Sequence, residues 1–282
     1  MDLLERRGYA AGIPRLAEVC LGGRLSEREV MEAVEADPDL DLVDGLVLRR
    51  DGPICVARVL ERRRRHSSEA AAYAAAATRF SAALVTVAPF VRSVSIAGSL
   101  ASGGFVESDD VDLNLVVDDG HRYQAYFVLN LLGLAHALAH RGKPVDVHTR
   151  RPVAPRLMTA NLILERSQCF PLARQDEDMA FELLISRPVH GAAFVNQVVA
   201  ANPRLLDHLP QLAERTRQAA PDVRPRVPAW LYPDILEAPA RMAGHAAWRY
   251  MQWTRRRDPA ALERVAFVRD TMRPYALFDD PA

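Results

Sequence analysis

The fold is decided by the stretch Ser93–Val117, which reads S-V-S-I-A-G-S-L-A-S-G-G-F-V-E-S-D-D-V-D-L-N-L-V-V. The apolar residues at its start predict a strand that ends in a small-residue turn at Gly98 and Ser99. A short bridging segment follows, and a second apolar run then contains Asp110 and Asp112. Because residues two apart in a strand point to the same side, the two carboxylates are expected on one face.

Two carboxylates on one face repel each other and are costly to desolvate unless a positive charge lies between them. A divalent cation that prefers hard oxygen ligands, such as Mg²⁺, meets this requirement. The turn offers backbone N–H groups and a hydroxyl, which suit a phosphate. Gly98 would let the backbone approach phosphate oxygens without a side-chain clash, and Ser99 would donate to the same oxygens. Carboxylates, metal and phosphate together predict phosphoryl or nucleotidyl transfer.

A third acid is expected from the segment K-P-V-D-V-H-T-R-R, where valines alternate with Asp146 and His148. This alternation predicts a strand, and the apolar helix that precedes it would return the strand to the sheet beside the first two acids. Asp146 then becomes a third metal ligand or a general base. His148 falls on the same strand face and is a candidate cofactor-binding residue.

The Gly-Ser turn, the D-V-D run at Asp110–Asp112 and the later acidic strand together resemble the DNA polymerase β superfamily of nucleotidyltransferases. Within that superfamily the chain resembles the minimal, antibiotic-nucleotidyltransferase type, over about residues 90–150. A weaker similarity, over roughly residues 60–210, is to uncharacterised bacterial nucleotidyltransferase-domain proteins. The segment from Phe181-Glu182-Leu183 to Gly191 carries part of this second similarity.

The resemblance implies a mixed β-sheet flanked by helices, an NTP and two Mg²⁺ ions as reactants, and transfer of a nucleoside monophosphate to an acceptor hydroxyl. Asp110 and Asp112 would hold the metal that carries the triphosphate and, with Asp146, the metal that activates the acceptor. An antibiotic-like or biosynthetic small molecule is the favoured acceptor, because a formal net charge of zero argues against a large nucleic acid.

Two alternatives stay open, because a fold does not choose its acceptor. One is a tRNA- or protein-modifying nucleotidyltransferase that recruits its substrate through the N-terminal unit and the basic run Arg62–Arg65. Such a run is more often a solvated helix face. The other is a non-catalytic nucleotide-binding regulatory module, in which the paired acids serve as a nucleotide sensor.

We expect an α+β protein with three regions. Residues 1–55 have the order helix, helix, hairpin, as in winged-helix modules, and Ser26 with Glu29 predicts a capping box at the start of the second helix. A docking or regulatory role is preferred over nucleic-acid binding because no recognition helix stands out.

Residues 56–152 begin with a long helix over residues 56–88 that is rich in Ala and Arg, and they contain the nucleotidyltransferase core. Tyr73, Ala77, Phe80 and Leu84 fall at helical spacing and predict a packing stripe on this helix. Residues 153–282 are expected to form a helical C-terminal region.

The composition is that of an ordinary globular protein, with 49% hydrophobic and 26% charged residues. Three cysteines without CxxC spacing predict neither a disulfide framework nor a zinc site. The chain shows no signal-peptide pattern and no apolar run near the ~18 residues of a membrane span. We therefore expect a cytoplasmic protein with no membrane partner, and the sequence leaves its oligomeric state open.

Overall fold

The computed structural model describes residues 1–139, 157–214 and 223–278. Short 3-10 turns lie at Arg166–Cys169, Ala229–Leu231 and Asp234–Leu236. The helices and strands are, in chain order, α1 (Asp2–Glu5), α2 (Ile13–Val19), α3 (Glu27–Ala36), β1 (Leu40–Val43), β2 (Leu46–Arg49), α4 (Val56–Val87), β3 (Val91–Ile96), α5 (Gly98–Ser102), β4 (Val111–Val117), α6 (Arg122–Ala139), β5 (Met158–Glu165), α7 (Glu177–Ile185), β6 (Arg187–His190), α8 (Ala192–Ala201), α9 (Arg204–His208), α10 (Gln211–Glu214), α11 (Glu237–Arg255) and α12 (Pro259–Met272).

The main sheet has the strand order β5-β4-β3-β6. Strand β4 runs antiparallel to β3 and parallel to β5, and β3 is antiparallel to β6, so the sheet is mixed. The predicted strand, turn and strand of the opening stretch are confirmed as β3, α5 and β4, and the α+β class is confirmed with them. Every second residue of β4 is fully buried, namely Val111, Leu113, Leu115 and Val117.

The long helix α4 covers the face of the sheet to which these β4 side chains point. Its predicted extent, residues 56–88, is confirmed to within one residue. Phe80 and Leu84 of its predicted packing stripe are buried in one hydrophobic cluster with β3, β4 and α6. The opposite face of the sheet therefore carries the polar side chains of Asp112 and Asn114, followed by Val116.

Helix α4 is also, by length and composition alone, apolar enough to cross a membrane. The expectation that no apolar run of the chain approaches this length is therefore wrong for α4. A buried core helix meets the same criterion, and α4 contributes Phe80 and Leu84 to the core. The absence of a membrane partner stays a prediction.

The N-terminal unit has the expected order of two helices and a hairpin, preceded by the short helix α1. Ser26 caps α3: its hydroxyl accepts from the Glu29 N–H at 3.2 Å, and its own N–H donates to the Glu29 carboxylate at 2.7 Å. Asp44 and Gly45, both with positive φ, form the turn between β1 and β2. Most buried side chains of the unit share one hydrophobic cluster with those of α7, α8 and α9, whereas Leu46 and Leu48 pack with Val59 of α4. The domain boundaries themselves stay predictions.

The region after residue 152 is helical only in part. Residues 158–165, which we expected in a helix, form β5 beside β4, and β6 forms the opposite edge of the sheet. The apolar run Leu162–Leu164 fits a buried helix or a buried strand equally well by periodicity. Pairing with β4 decides between the two. The sheet therefore extends into the region that the sequence pattern assigned to helices.

Candidate functional site

Asp110 and Asp112 meet at the start of β4. Asp112 is the second residue of β4, and Asp110 directly precedes the first residue of β4, Val111. Thr159 of β5 lies opposite Asp112 in the parallel ladder. Its hydroxyl oxygen is 3.3 Å from Asp110 Oδ2 and 3.1 Å from Asp112 Oδ1. The two carboxylates converge on one hydroxyl, so they lie on the same face as the strand alternation predicts.

Several hydrogen-bond acceptor oxygens surround the Thr159 hydroxyl. The hydroxyl has one hydrogen, so it donates to one acceptor at a time, and the Val111 carbonyl oxygen at 3.4 Å is a third candidate. Carboxylate, hydroxyl and carbonyl oxygens are the donor set that a hard divalent cation prefers. The residues present therefore fit Mg²⁺, with Asp110 and Asp112 as its anionic ligands.

A third acid is not found beside these two within residues 1–139, 157–214 and 223–278. No group of three or more His, Cys, Asp or Glu side chains among them is arranged to hold a metal. The predicted third ligand, Asp146, and the candidate cofactor-binding residue His148 both lie outside the described residues. The position next to Asp112 on the neighbouring strand is held by the neutral Thr159.

Gly98 touches Asp112 directly. Its φ is +58°, a left-handed conformation that favours glycine. A Cβ atom at this position would lie 2.9 Å from Asp112 Cγ and 3.0 Å from Asp112 Cβ, and closer still to Oδ2. The N–H of Ala97 donates to the Asp112 backbone carbonyl at 2.9 Å. Helix α5 therefore begins against the carboxylate pair, and its first N–H groups have no acceptor within the helix.

The hydroxyl of Ser99 does not point to an open phosphate position. It donates to Asp109 Oδ2 at 2.8 Å, and the same oxygen forms an ion pair with Arg62 of α4. The N–H of Val106 also approaches this oxygen at 3.4 Å. The hydroxyl thus holds the loop between α5 and β4 in place. In this geometry Ser99 offers a phosphate its backbone N–H rather than its side chain.

Three side chains of α4 fix the loop that precedes the carboxylates. His66 Nδ1 accepts from the Phe105 N–H at 3.1 Å, Glu69 accepts from the Glu107 N–H at 2.6 Å, and Tyr73 donates to the Glu107 carboxylate at 3.0 Å. Burial lowers the pKa of His66, which favours the neutral imidazole that its acceptor role requires. Burial and the Glu107 bond raise the pKa of Tyr73 to about 12. Helix α4 therefore fixes the position of the loop that leads into Asp110 and Asp112.

Three of the four arginines in the run Arg62–Arg65 pair with acids of the same chain. Arg62 pairs with Asp109, and the other two pairs are formed by Arg64 with Glu61 and by Arg65 with Glu69. Ion-paired guanidinium groups offer less net charge to an anionic partner. These ion pairs agree with the interpretation of Arg62–Arg65 as a solvated helix face. The pair between Arg62 and Asp109 also holds the loop before β4 in place.

A buried polar network continues from the carboxylates along the same face of the sheet. Asn114 follows Asp112 by two residues on β4, and Asn161 lies on β5. Both amides donate to Glu182 Oε1 of α7, Asn114 at 2.8 Å and Asn161 at 3.1 Å. Burial raises the pKa of Glu182, although the Asn114 bond and the nearby Arg7 act in the opposite direction. The network ties both strands of the site to α7.

A small cavity adjoins this network. Its volume is about 40 Å³, which is room for one or a few water molecules. The polar side chains among its lining residues are Ser93, Ser95, Asn114, Glu182 and Ser186. The other ten lining residues are Leu, Val, Met and Cys, so the cavity is mainly apolar.

We expect Glu182→Gln to remove a pH-dependent loss of stability. Because burial raises the pKa of Glu182, the folded protein retains a proton that the unfolded chain releases. The free energy of unfolding then falls as pH rises from the ordinary value of 4.5 through the higher folded-state pKa. The glutamine keeps an oxygen for both asparagine amides and carries no charge, so its stability should lack this fall. Urea unfolding of both proteins from about pH 4 to pH 8 measures the difference.

Glu182→Leu serves as the matched variant for this test. It leaves the amides of Asn114 and Asn161 without their carboxylate acceptor, and we expect a loss of about 1–3 kcal/mol in the free energy of unfolding. If wild type and Glu182→Gln lose stability in parallel as pH rises, the buried carboxyl is not the group that titrates.

Sequence reasoning missed Thr159, Asn161 and Glu182. A signal for the first two exists, because T-x-N in β5 repeats the polar spacing of D-x-N in β4. Glu182 stands alone in the apolar run F-E-L-L, and nothing local marks its partners.

Comparison of the chain with protein-family models, with curated proteins and with solved structures gives no match in any of the three.

Proposed function

We propose that this protein is a metal-dependent nucleotidyltransferase that moves a nucleoside monophosphate from an NTP to an acceptor hydroxyl. The observation that carries the proposal is the convergence of Asp110 and Asp112 on one face, at 3.3 Å and 3.1 Å from the same Thr159 hydroxyl. The glycine turn against Asp112 adds backbone N–H groups at the same place. Anion-binding N–H groups beside two carboxylates are the combination that an NTP with Mg²⁺ requires.

Each side chain has a definite role in this proposal. Asp110 and Asp112 would hold Mg²⁺, with Asp146 as the proposed third ligand or general base and His148 as a proposed cofactor-binding residue. Bound Mg²⁺, as two ions, would offset the charge of the triphosphate and lower the pKa of the acceptor hydroxyl. Thr159 orients the two carboxylates, and the backbone at Gly98 positions the triphosphate.

A small molecule remains the proposed acceptor. A large nucleic acid is bound mainly through unpaired Lys and Arg. The chain has a formal net charge of zero, and three arginines of the run Arg62–Arg65 are already paired with its own acids. A tRNA or protein acceptor is the alternative within the same reaction class, and we propose a cytoplasmic location for either.

A non-catalytic nucleotide-binding module is the second candidate. The observation that favours it is the neutral Thr159 at the position beside both carboxylates, within the described part of the chain. Two carboxylates suffice to bind an NTP with Mg²⁺, whereas deprotonation of an acceptor calls for a further base. The two candidates therefore agree on nucleotide binding and differ on turnover.

Nucleotide binding and turnover are measured in two steps. In the first, the thermal midpoint Tm is recorded with ATP, CTP, GTP and UTP, each with Mg²⁺ and with EDTA. We expect at least one NTP to raise Tm by several degrees with Mg²⁺ only, since a ligand at about 100 times its Kd stabilises by about 2.7 kcal/mol. In the second, labelled NTP is incubated with small-molecule, RNA and protein fractions, and pyrophosphate release is followed.

The outcomes separate the candidates. Transfer to one fraction supports the enzyme and identifies the acceptor class. An Mg²⁺-dependent rise in Tm without transfer to any fraction supports the binding module. If no NTP changes Tm in Mg²⁺, both candidates are wrong.

A further inference from the structure

Helix α6 is apolar on two sides, and one of them stays half-exposed in the structure of residues 1–139, 157–214 and 223–278. From Tyr123 to Ala139 the helix contains no Asp, Glu, Lys or Arg. A helix that is hydrophobic all round is normally buried all round. Its inner side is buried: Ala125 and Leu129 belong to the hydrophobic cluster of β3 and β4, and Tyr126 packs against Phe278 and against Gly244 of α11. Its outer side carries four large side chains that are 46–58% exposed, which we call the outer stripe: Phe127, Leu131, Leu134 and Leu138.

The spacing of the outer stripe is that of a coiled-coil seam. Its residues follow one another at intervals of four, three and four, the 3-4 repeat that lets side chains of one helix pack between those of another. The partner that fits such a stripe is a helix with the same spacing. A second copy of α6 supplies it.

We propose that the outer stripe is a homodimer interface in which α6 packs antiparallel against α6 of a second copy about a two-fold axis. A two-fold axis at the middle of the stripe places Leu131 against Leu134 of the partner subunit and Phe127 against Leu138 of the partner subunit. The same surface is then used on both copies, as closed dimers require. This interface is independent of the proposed nucleotidyl transfer.

Charge favours a second copy over other occupants. The helix has no charged residue beside the outer stripe. A partner with a charged surface would therefore find no charge on α6 with which to pair. Helices that lie on membranes carry Lys and Arg beside their apolar face, and α6 has neither after Arg122. A formal net charge of zero means that two copies of the chain do not repel each other at long range.

The exposed apolar area of the outer stripe sets the expected affinity of the dimer. A side chain of this size has on the order of 200 Å² when free, so four half-exposed ones present on the order of 400 Å² per copy. A standard interface buries about 800 Å² per partner, so the stripe by itself supplies about half of that area. We therefore expect a dimer that forms in the micromolar range.

Sedimentation velocity of the full chain tests the interface. Wild type should shift from monomer to dimer between about 1 and 100 µM. Leu131→Glu and Leu134→Lys should each weaken the dimer at least about 30-fold, because each places an unpaired charge in the contact. Both positions are exposed, so the monomers should keep the wild-type circular dichroism spectrum and Tm. The control is Leu21→Glu, a leucine of similar exposure (50%) far from α6 in sequence, which should leave the dimer unchanged.

Mixing the two variants tests the antiparallel register. The introduced glutamate of one chain should face the introduced lysine of the other, so an equal mixture should form heterodimers that neither variant forms alone. A monomeric wild type at every concentration, or a dimer that both variants leave unchanged, overturns the interface. A mixture that stays monomeric overturns the antiparallel arrangement.

Discussion

Replacing Asp112 with asparagine should abolish nucleotidyl transfer and leave the metal-free protein as stable as wild type. An amide carries no negative charge and is a poor ligand for Mg²⁺. We expect turnover to fall at least about 10³-fold, which corresponds to about 4 kcal/mol in the activation barrier. Stability should hold because the change removes one of two mutually repelling carboxylates and keeps the side-chain shape. Pyrophosphate release and Tm with and without Mg²⁺ measure the two effects.

The matched control is Asp51→Asn, which makes the same charge change at an exposed residue of the turn after β2. It should keep wild-type turnover and the Mg²⁺-dependent rise in Tm with NTP, while Asp112→Asn loses both. Asp110→Asn is expected to behave like Asp112→Asn. Near-normal turnover in either aspartate variant would show that the metal is bound elsewhere.

Gly98→Ala should impair both stability and turnover. The new Cβ would lie 3.0 Å from Asp112 Cβ, an atom that no side-chain rotation can move away. The start of α5 and β4 must then separate, which displaces the carboxylate from the site. We expect the free energy of unfolding to fall by about 2–5 kcal/mol, the sum of the costs of a left-handed alanine and of the overpacking. Turnover should fall at least about 100-fold.

Gly103→Ala separates these two causes. Gly103 also has a positive φ, +94°, but a Cβ there meets nothing within 4 Å. It should lose about 1–2 kcal/mol of stability from the left-handed backbone alone and keep its turnover. Urea unfolding and pyrophosphate release on both variants give the comparison. If the two variants lose turnover equally, the contact between Gly98 and Asp112 has no part in the activity.

Local patterns in the sequence predicted much of the site's framework. The face shared by Asp110 and Asp112 follows from the two-residue period of a strand, and the turn at Gly98 follows from its small residues. The capping box of Ser26 and Glu29 and the extent of α4 are likewise local properties. Each rests on residues within a few positions of one another, so periodicity and side-chain chemistry suffice.

Long-range pairing decided the rest. Thr159 lies 47 residues from Asp112, and Glu182 lies 68 residues from Asn114. The apolar run of β5 has a sequence pattern that fits a helix or a strand. Its pairing with β4 makes it a strand. The strand order places Thr159 beside the carboxylates, and the predicted third acid, Asp146, lies outside the described residues.

The sequence by itself determined the α+β class, the strand-turn-strand of residues 93–117 and the pairing of two carboxylates on one face. The tertiary structure alone decided that Thr159 joins them, that Ser99 turns its hydroxyl to Asp109, and that Glu182 is buried beneath the site. The physical reason is the range of the forces involved. Backbone sterics and side-chain periodicity act between neighbours in the chain, whereas strand order and burial depend on packing among segments far apart in sequence.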